Sequence, residues 1–206
     1  MLSTRNCGRL LVSLASCLGA LSLTASASAE SGTHDGLYLS AHAGVGYVGS
    51  SGDANPTKLS GLSTPVALWA GYTFGIVAVG VGASLDTVWS PSYEYDSSFE
   101  PGSENDGFAL FNGAVFADIY PDPKRGLHIM PSIGSGWLFA PVTGKGGAGI
   151  LLGVGVGYDF WVASEFSLGV MGRMAYAPLK FSVVEARGNV TYSTFAPALL
   201  LTATYQ

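Results

Sequence analysis

Residues 151–176 read LLGVGVGYDFWVASEFSLGVMGRMAY and carry the clearest structural signal in the chain. Large apolar side chains occupy every second position on both sides of a short turn at residues 163–165, and the positions between them hold mostly glycine or polar residues. A period of two is that of a β-strand, whose side chains alternate between the two faces of the sheet. Two such segments around a tight turn predict an antiparallel hairpin.

The same alternation recurs from Gly36 to the end of the chain and predicts eight strands. These are Leu37–Tyr47, Thr64–Phe74, Val77–Asp86, Phe108–Tyr120, Leu127–Phe139, Leu151–Phe160, Phe166–Ala175 and Phe195–Tyr205. Their connections alternate in length. Short turns are predicted at Gly75, 121–126 and 163–165, long polar loops at 48–63, 90–107 and 178–191, and a shorter glycine-rich loop at 140–147. This plan is typical of bacterial outer-membrane barrels, so we expect an all-β, eight-stranded, antiparallel up-and-down transmembrane barrel.

The composition favours a membrane protein built from strands. Only 11% of the 206 residues are charged, whereas 48% are hydrophobic and 29 are glycine. An ordinary soluble domain carries about 25% charged residues. A net charge of −5 without a basic cluster argues against a nucleic-acid partner, and the aromatic content excludes a disordered chain. A polypeptide that crosses lipid with strands must close into a barrel, because lipid cannot satisfy free backbone groups.

A soluble eight-stranded barrel of the lipocalin kind is the main alternative fold. It would bury the large apolar face and expose charges to water. Here the second face carries glycine, serine and alanine, which suit the narrow lumen of an eight-stranded barrel. Aromatic residues near the strand ends predict two girdles, one at each membrane interface. The short-turn girdle comprises Tyr72, Phe74, Tyr120, Phe160, Trp161, Phe166 and Tyr205, and the long-loop girdle comprises Tyr47, Trp89, Phe108, Trp137, Tyr176 and Phe195.

The N-terminus reads as a cleavable secretory signal covering residues 1–29, with the barrel occupying residues 30–206. Arg5 and Arg9 precede an apolar stretch, and Ala27 and Ala29 supply the small residues that signal peptidase requires. Two alternatives are an uncleaved membrane anchor and lipoprotein processing at Cys17. Cleavage after Ala29 removes both cysteines, so no disulfide or cysteine metal site is expected.

The chain resembles the OmpA-type and opacity-type family of small outer-membrane β-barrels. The resemblance rests on the opening strand GLYLSA at 36–41 and the central hairpin DIYPDP at 118–123, which runs into Gly126-Leu127-His128. It implies a location in the outer membrane of a Gram-negative cell, contact with its lipid and lipopolysaccharide, and recognition by the barrel assembly machinery. Family members usually end on an aromatic residue that this machinery reads, and here Tyr205 stands one position before the final Gln206. We expect a monomer and, since no peptidoglycan-binding segment follows the predicted barrel, no cell-wall anchoring.

Polar residues on the predicted inner face are candidates for a lumen network. If the fourth and fifth strands pair around residues 121–126, Asp118 lies opposite His128, and Asn112 lies opposite Gly134. Asp118 and His128 would then be neighbours on the same face, near the short-turn end of the barrel. Buried charges of this kind persist in proteins when they are paired.

Arg173 is the only basic residue that falls inside a predicted strand. Asp86 stands at a similar height and is its expected partner, while Asp159 lies lower in the lumen. We expect this network to help fill the lumen. The alternative is a narrow pore for small solutes, in which the same charges would control passage.

The second long loop is acidic, with interleaved aromatic residues and no lysine or arginine. Its acidic residues are Glu94, Asp96, Glu100, Glu104 and Asp106. A divalent cation or a cationic extracellular partner is a candidate ligand of this loop, although the sequence lacks the glycine of a calcium-binding loop. A solvated loop without a ligand is the alternative.

No set of residues has the spacing of a catalytic or metal site, so we expect no enzymatic activity, no metal and no cofactor. His128 and Ser132 are four residues apart on one strand face, about 13 Å, which is too far for a nucleophile and its base. His42 and Ser40 are nearer, without an obvious acid. A lipid-modifying enzyme is therefore the least favoured function, behind a structural or surface-contact role and a narrow pore.

Overall fold

The computed structural model describes residues 35–52, 58–94, 107–122, 125–140, 145–183 and 188–206. Nine β-strands account for almost all of them. Their bounds are β1 Gly36–Gly52, β2 Lys58–Phe74, β3 Val77–Val88, β4 Ser92–Glu94, β5 Phe108–Ile119, β6 Leu127–Ala140, β7 Lys145–Ala163, β8 Phe166–Val183 and β9 Gly188–Tyr205. Across these ranges there is no helix with the length and apolar character needed to span a bilayer.

The strands form one antiparallel sheet that closes on itself. Apart from the short β4, strands that follow one another pair side by side, and the barrel closes between β1 and β9, where Leu39 lies opposite Tyr205. The short β4 continues β3 along the same edge of β2, so β3 and β4 together form one barrel strand. The predicted eight-stranded antiparallel barrel is therefore confirmed.

The large apolar side chains lie on the outside of the barrel. Val154, Leu199 and Leu201 are exposed, whereas Leu200, between the last two, is only 1% exposed and faces the lumen. This arrangement is the reverse of a soluble ligand-binding barrel and suits a lipid surround. Two of the aromatic residues predicted for the girdles face inward instead. Phe108 and Tyr120 are buried, because Phe108 opens β5 at an inward-facing position and Tyr120, the residue after β5, continues the same alternation.

Several strands extend further than the sequence predicts. The predicted loop 48–63 contains the end of β1 and the beginning of β2, and the predicted loop 178–191 contains the end of β8 and the beginning of β9. β7 likewise begins at Lys145, inside the predicted loop 140–147. Polar residues continue the ladder here because pairing uses backbone groups and does not require an apolar face.

The ladder on both sides of β1 is interrupted by proline. Pairing between β1 and β2 stops after Ala43 and resumes at Gly46, with Pro65 on the opposite strand. Pairing between β1 and β9 stops after Gly46 and resumes at Gly49, with Pro197 opposite. Proline has no N–H to donate to a neighbouring strand. The middle of β1 therefore has fewer hydrogen bonds to its neighbouring strands than its ends have.

We expect the amides of residues 44–48 to exchange with solvent deuterium faster than the rest of β1. One lost hydrogen bond of about 1 kcal/mol corresponds to a difference of roughly fivefold to tenfold in protection. Hydrogen exchange followed by NMR in detergent micelles measures this difference. β3 is the internal control, because its pairing with β2 and β5 is uninterrupted from Val77 to Val88. Equal protection of the two strands at the same height would contradict the expectation.

Candidate functional site

A chain of buried hydrogen bonds crosses the lumen at its short-turn end. The Tyr38 hydroxyl on β1 donates to Asp118 Oδ2 at 2.9 Å, and His128 Nδ1 on β6 lies 2.8 Å from Asp118 Oδ1. All three side chains are no more than 2% exposed. Both oxygens of the Asp118 carboxylate therefore have a donor within the protein.

Asp159 on β7 is the second carboxylate of this chain. Tyr120 donates to its Oδ2 at 2.9 Å, and Thr202 donates to its Oδ1 at 3.1 Å. His128 Nε2 stands 3.9 Å from Asp159 Oδ1, beyond hydrogen-bond distance, and has no hydrogen-bond partner. The Tyr120 and His128 rings are stacked, with centroids 5.0 Å apart. His128 thus lies between two buried carboxylates.

Glycines of the neighbouring strands make room for these side chains. A Cβ atom on Gly157 would overlap the His128 ring, and a Cβ on Gly169 would overlap both Asp159 Oδ1 and Thr202 Oγ1. The alternation of glycine with large apolar residues on β7 therefore has two uses. It exposes apolar side chains to lipid and leaves space inside for a polar network.

An ion pair crosses the lumen further toward the long loops. Arg173 Nη2 on β8 lies 2.5 Å from Asp86 Oδ1 on β3, and the two side chains are 10% and 1% exposed. Arg173 pairs in register with Gly155, and the Met171 side chain occupies the space that this glycine leaves inside the barrel. Next to this pair, Asn112 Nδ2 donates to Ser84 Oγ at 3.0 Å.

Two apolar clusters fill the lumen on either side of the ion pair. On β8, Met171 of one cluster and Ala175 of the other are the inward-facing neighbours of Arg173. The cluster toward the short turns, which we call the inner cluster, contains Tyr38, Ala67, Trp69, Ala78, Ala114, Phe116, Met130, Met171 and Leu200. The cluster toward the long loops, which we call the outer cluster, contains Val48, Leu59, Val88, Phe108, Leu110, Leu138, Leu151, Ala175, Ala177, Leu179 and Ala196.

Comparison with solved structures places this architecture among known proteins. Neisserial surface protein A (NspA) is similar, with a TM-score of 0.53 and 14% sequence identity over 82% of this chain and 96% of that one. The outer membrane protein OprG from Pseudomonas aeruginosa has a TM-score of 0.50 and 9% identity over 86% of this chain and 100% of that one. The chain has the fold of the small outer-membrane β-barrels. No protein-family model and no curated protein matches its sequence.

The barrel brings together several of the polar residues that the sequence predicts for the lumen. Asp118 is in contact with His128, and Arg173 with Asp86. The predicted register of the central hairpin is wrong by two residues, because Asn112 pairs with Gly136 and not with Gly134. The contact between Asp118 and His128 is a diagonal one, which such side chains can still span.

Other members of the network were missed by sequence reasoning. Tyr38, Tyr120 and Thr202 supply donors to the two carboxylates, and only their inward positions in the alternation could have indicated this. The expectation that Arg173 is the only basic residue within a strand is also wrong. The longer strands include Lys58, Lys145 and Lys180.

The remaining predicted sites lie mostly outside the described residues. Glu94 ends β4 and pairs in register with Lys58. The acidic residues at 96, 100, 104 and 106 and the predicted cleavage residues at 27 and 29 are outside the described ranges. Within those ranges, no group of three or more histidine, cysteine or acidic side chains is arranged to hold a metal ion.

Proposed function

We propose that this chain is exported, inserted into the outer membrane as a monomer, and acts there as a closed barrel with a structural or surface-contact role. The observation that carries the proposal is the filling of the lumen. Two apolar clusters and an ion pair occupy it in succession, and a cavity at the boundary of the inner cluster, beside Trp69, Met171 and Arg173, measures about 20 Å³. That volume accommodates a single water molecule.

The narrow pore is the second candidate and fits this lumen less well. A solute would have to displace the outer cluster, in which Leu138, Leu151 and Leu179 are at most 4% exposed. It would then have to separate Arg173 from Asp86, which would leave two buried charges without partners. Because the lumen is filled, we expect the protein to act through the outer surface of the barrel and through its long-loop end.

The long-loop end carries a raised wall on one side of the barrel, made from the ends of β1, β2, β8 and β9. β1 continues from Tyr47 to Gly52, about 15 Å along the strand, and Gly52 is paired with Tyr192. On β1, the polar Ser51 is exposed on this wall, and the apolar Val45 is exposed below it. We propose that the wall and the long loops make the contacts of the protein outside the cell.

Further partners follow from the same proposal. Insertion requires the barrel assembly machinery, for which Tyr205 supplies an aromatic residue in the last strand. The acidic segment that begins at Glu94 is a candidate site for a divalent cation or a cationic extracellular partner. The proposal includes no nucleic acid and no cofactor.

A lipid-modifying activity would need an activated nucleophile, and the best candidate is the pair Ser40 and His42. Ser40 Oγ lies 2.9 Å from His42 Nε2 and 2.7 Å from Thr204 Oγ1. Both members of the pair are 4% exposed, and none of the described hydrogen bonds or ion pairs joins His42 to an acid. A nucleophile needs access to its substrate and a base held by a third group. We therefore propose that the protein has no catalytic function.

Conductance across a planar lipid bilayer tests the closed lumen. We expect no channel openings from the wild-type barrel. Replacing Leu138 and Leu179 with glycine should open the outer cluster, because both side chains are at most 1% exposed and lie within it. This variant should show more frequent openings than wild type, and unfolding in urea checks that it still folds. Steady conductance through the wild-type protein would favour the pore.

A further inference from the structure

One cavity in the lumen is lined by soft metal ligands from three strands. It lies at the boundary of the inner cluster, measures about 20 Å³, and is lined by His42 of β1, Met130 of β6 and Met171 of β8. The rest of its polar and aromatic lining comes from Trp69, Ser132 and Arg173. A space of this size holds one water-sized ligand, and a single metal ion is no larger.

The two methionines of this cavity lie close to one another. Met171 Sδ is 2.6 Å from the position that a Cβ atom on Gly155 would occupy. Gly155 is paired directly with Met130 on the neighbouring strand, and the Cβ atoms of such pairs are about 4.5–5.5 Å apart. The Met171 sulfur is therefore within reach of the Met130 side chain. Met174, the remaining methionine of the described ranges, is exposed on the outside of the barrel.

His42 is oriented by a second polar group, as metal-binding histidines usually are. Its Nε2 lies 2.9 Å from Ser40 Oγ, and that hydroxyl lies 2.7 Å from Thr204 Oγ1. A ligating imidazole uses one ring nitrogen for the metal and donates the other N–H to a neighbouring group, which fixes the orientation of the ring. When Nε2–H is donated to Ser40, Nδ1 keeps its lone pair for an ion.

We propose that His42, Met130 and Met171 bind one soft monovalent metal ion of the copper(I) class inside the barrel. Thioether sulfur and imidazole nitrogen are ligands that copper(I) prefers. Calcium and magnesium need oxygen ligands, and zinc sites in proteins use thiolate, imidazole and carboxylate groups. In this site Nδ1 of His42 and the two sulfur atoms hold the ion, and Ser40 keeps the imidazole in place.

The charges beside the cavity favour a monovalent ion over a divalent one. All three ligands are neutral, and the Arg173 guanidinium that also lines the cavity is paired with Asp86. Each positive charge beyond the first would therefore add to the cost of burying the ion. Two of the ligands are methionines, so the site is not among the clusters of histidine, cysteine and acidic side chains sought within the described ranges.

Silver(I) is the probe for this site, because it has the ligand preference of copper(I) and is not oxidised in air. The full chain contains Cys7 and Cys17, whose thiols bind the same ion, so every protein tested also carries Cys7→Ser and Cys17→Ser. The chain is refolded from urea into detergent micelles with and without silver nitrate, so that the ion need not enter a closed barrel. NMR of the methionine methyl groups, labelled with carbon-13, reports on each sulfur.

We expect the methyl signals of Met130 and Met171 to shift together and to stop shifting at one silver ion per barrel. The Met174 signal should stay unchanged, because this residue lies on the same strand as Met171 but faces outward. Zinc(II) at the same concentration should leave all three signals unchanged. Equal shifts of the three methyl groups, a zinc response equal to that of silver, or no shift of Met130 and Met171 would overturn the proposal and leave the cavity to water.

Three leucine variants measure the contribution of each sulfur. Leucine has nearly the volume of methionine, so Met130→Leu and Met171→Leu should still fold, which urea unfolding checks. Each should weaken the binding of copper(I), measured without oxygen in competition with a chelator, by more than the roughly 10- to 100-fold that loss of an outer-shell partner costs. Met174→Leu is the matched control and should bind as wild type does.

Binding at the wild-type affinity by both Met130→Leu and Met171→Leu would overturn the proposal. If neither variant folds, the methyl signals of the protein with its methionines intact decide instead. Ser40→Ala adds a test of the histidine, and we expect it to weaken binding by about 10- to 100-fold. Because none of these measurements concerns conductance or surface contacts, their outcome is independent of the proposed function.

Discussion

Replacing Arg173 with methionine is expected to lower the free energy of unfolding of the barrel by about 3–5 kcal/mol, the cost of leaving one buried charge without its partner. Methionine keeps much of the length and apolar volume of the arginine stem. The loss therefore reports on the Asp86 carboxylate, which is 1% exposed and accepts from Arg173 Nη2. Urea unfolding in lipid vesicles, followed by tryptophan fluorescence, measures the change.

The double variant Arg173→Met with Asp86→Leu is the matched control. Replacing both members of a buried ion pair with apolar residues is often neutral or stabilising. We expect the double variant to recover most of the stability that the single variant loses. A single variant as stable as wild type would show that the pair contributes little, and the account of a lumen filled in part by a buried ion pair would then be wrong.

Replacing Gly157 with alanine is expected to cost about 2–4 kcal/mol, although it adds only one methyl group. The new Cβ would overlap the His128 ring. The ring has no free space, since it is stacked on Tyr120 and bonded to Asp118. Overpacking of a filled interior and loss of a hydrogen bond to a charged group both contribute. The shift in the urea concentration at the unfolding midpoint gives the loss of stability, provided that the dependence of the free energy of unfolding on urea is unchanged.

Gly172→Ala provides the comparison for this prediction. Gly172 faces outward on β8, and the nearest atom to an added Cβ is the Val156 carbonyl oxygen at 3.9 Å, an ordinary contact. We expect no loss of stability, and a gain of about 0.5–1 kcal/mol from the reduced entropy of the unfolded chain is consistent with the same reasoning. If Gly157→Ala and Gly172→Ala changed the free energy of unfolding equally, the inward position of Gly157 against His128 would not be the cause of the loss.

Much of the fold follows from the sequence because a membrane barrel imposes a strict alternation. Outward positions must be apolar in lipid, and inward positions must be small in a narrow lumen. The pattern in LLGVGVGYDF at 151–160 therefore predicts both a strand and which of its residues face lipid or the lumen. The strand ends outside the lipid carry no such requirement. For this reason the extensions of β1 to Gly52 and of β8 to Val183 were not predicted.

The number of barrel strands, the apolar outer surface and the candidates for polar residues inside could all be predicted from the pattern of residues. Which of those polar residues meet depends on the three-dimensional arrangement of the strands. Asp118 and His128 come together diagonally across a hairpin whose register the turn sequence did not reveal, and Tyr38 reaches Asp118 from a strand 80 residues away. Alternation fixes the direction of a side chain, whereas its partners depend on register and on closure between β1 and β9, and these are set by the packing of the whole barrel.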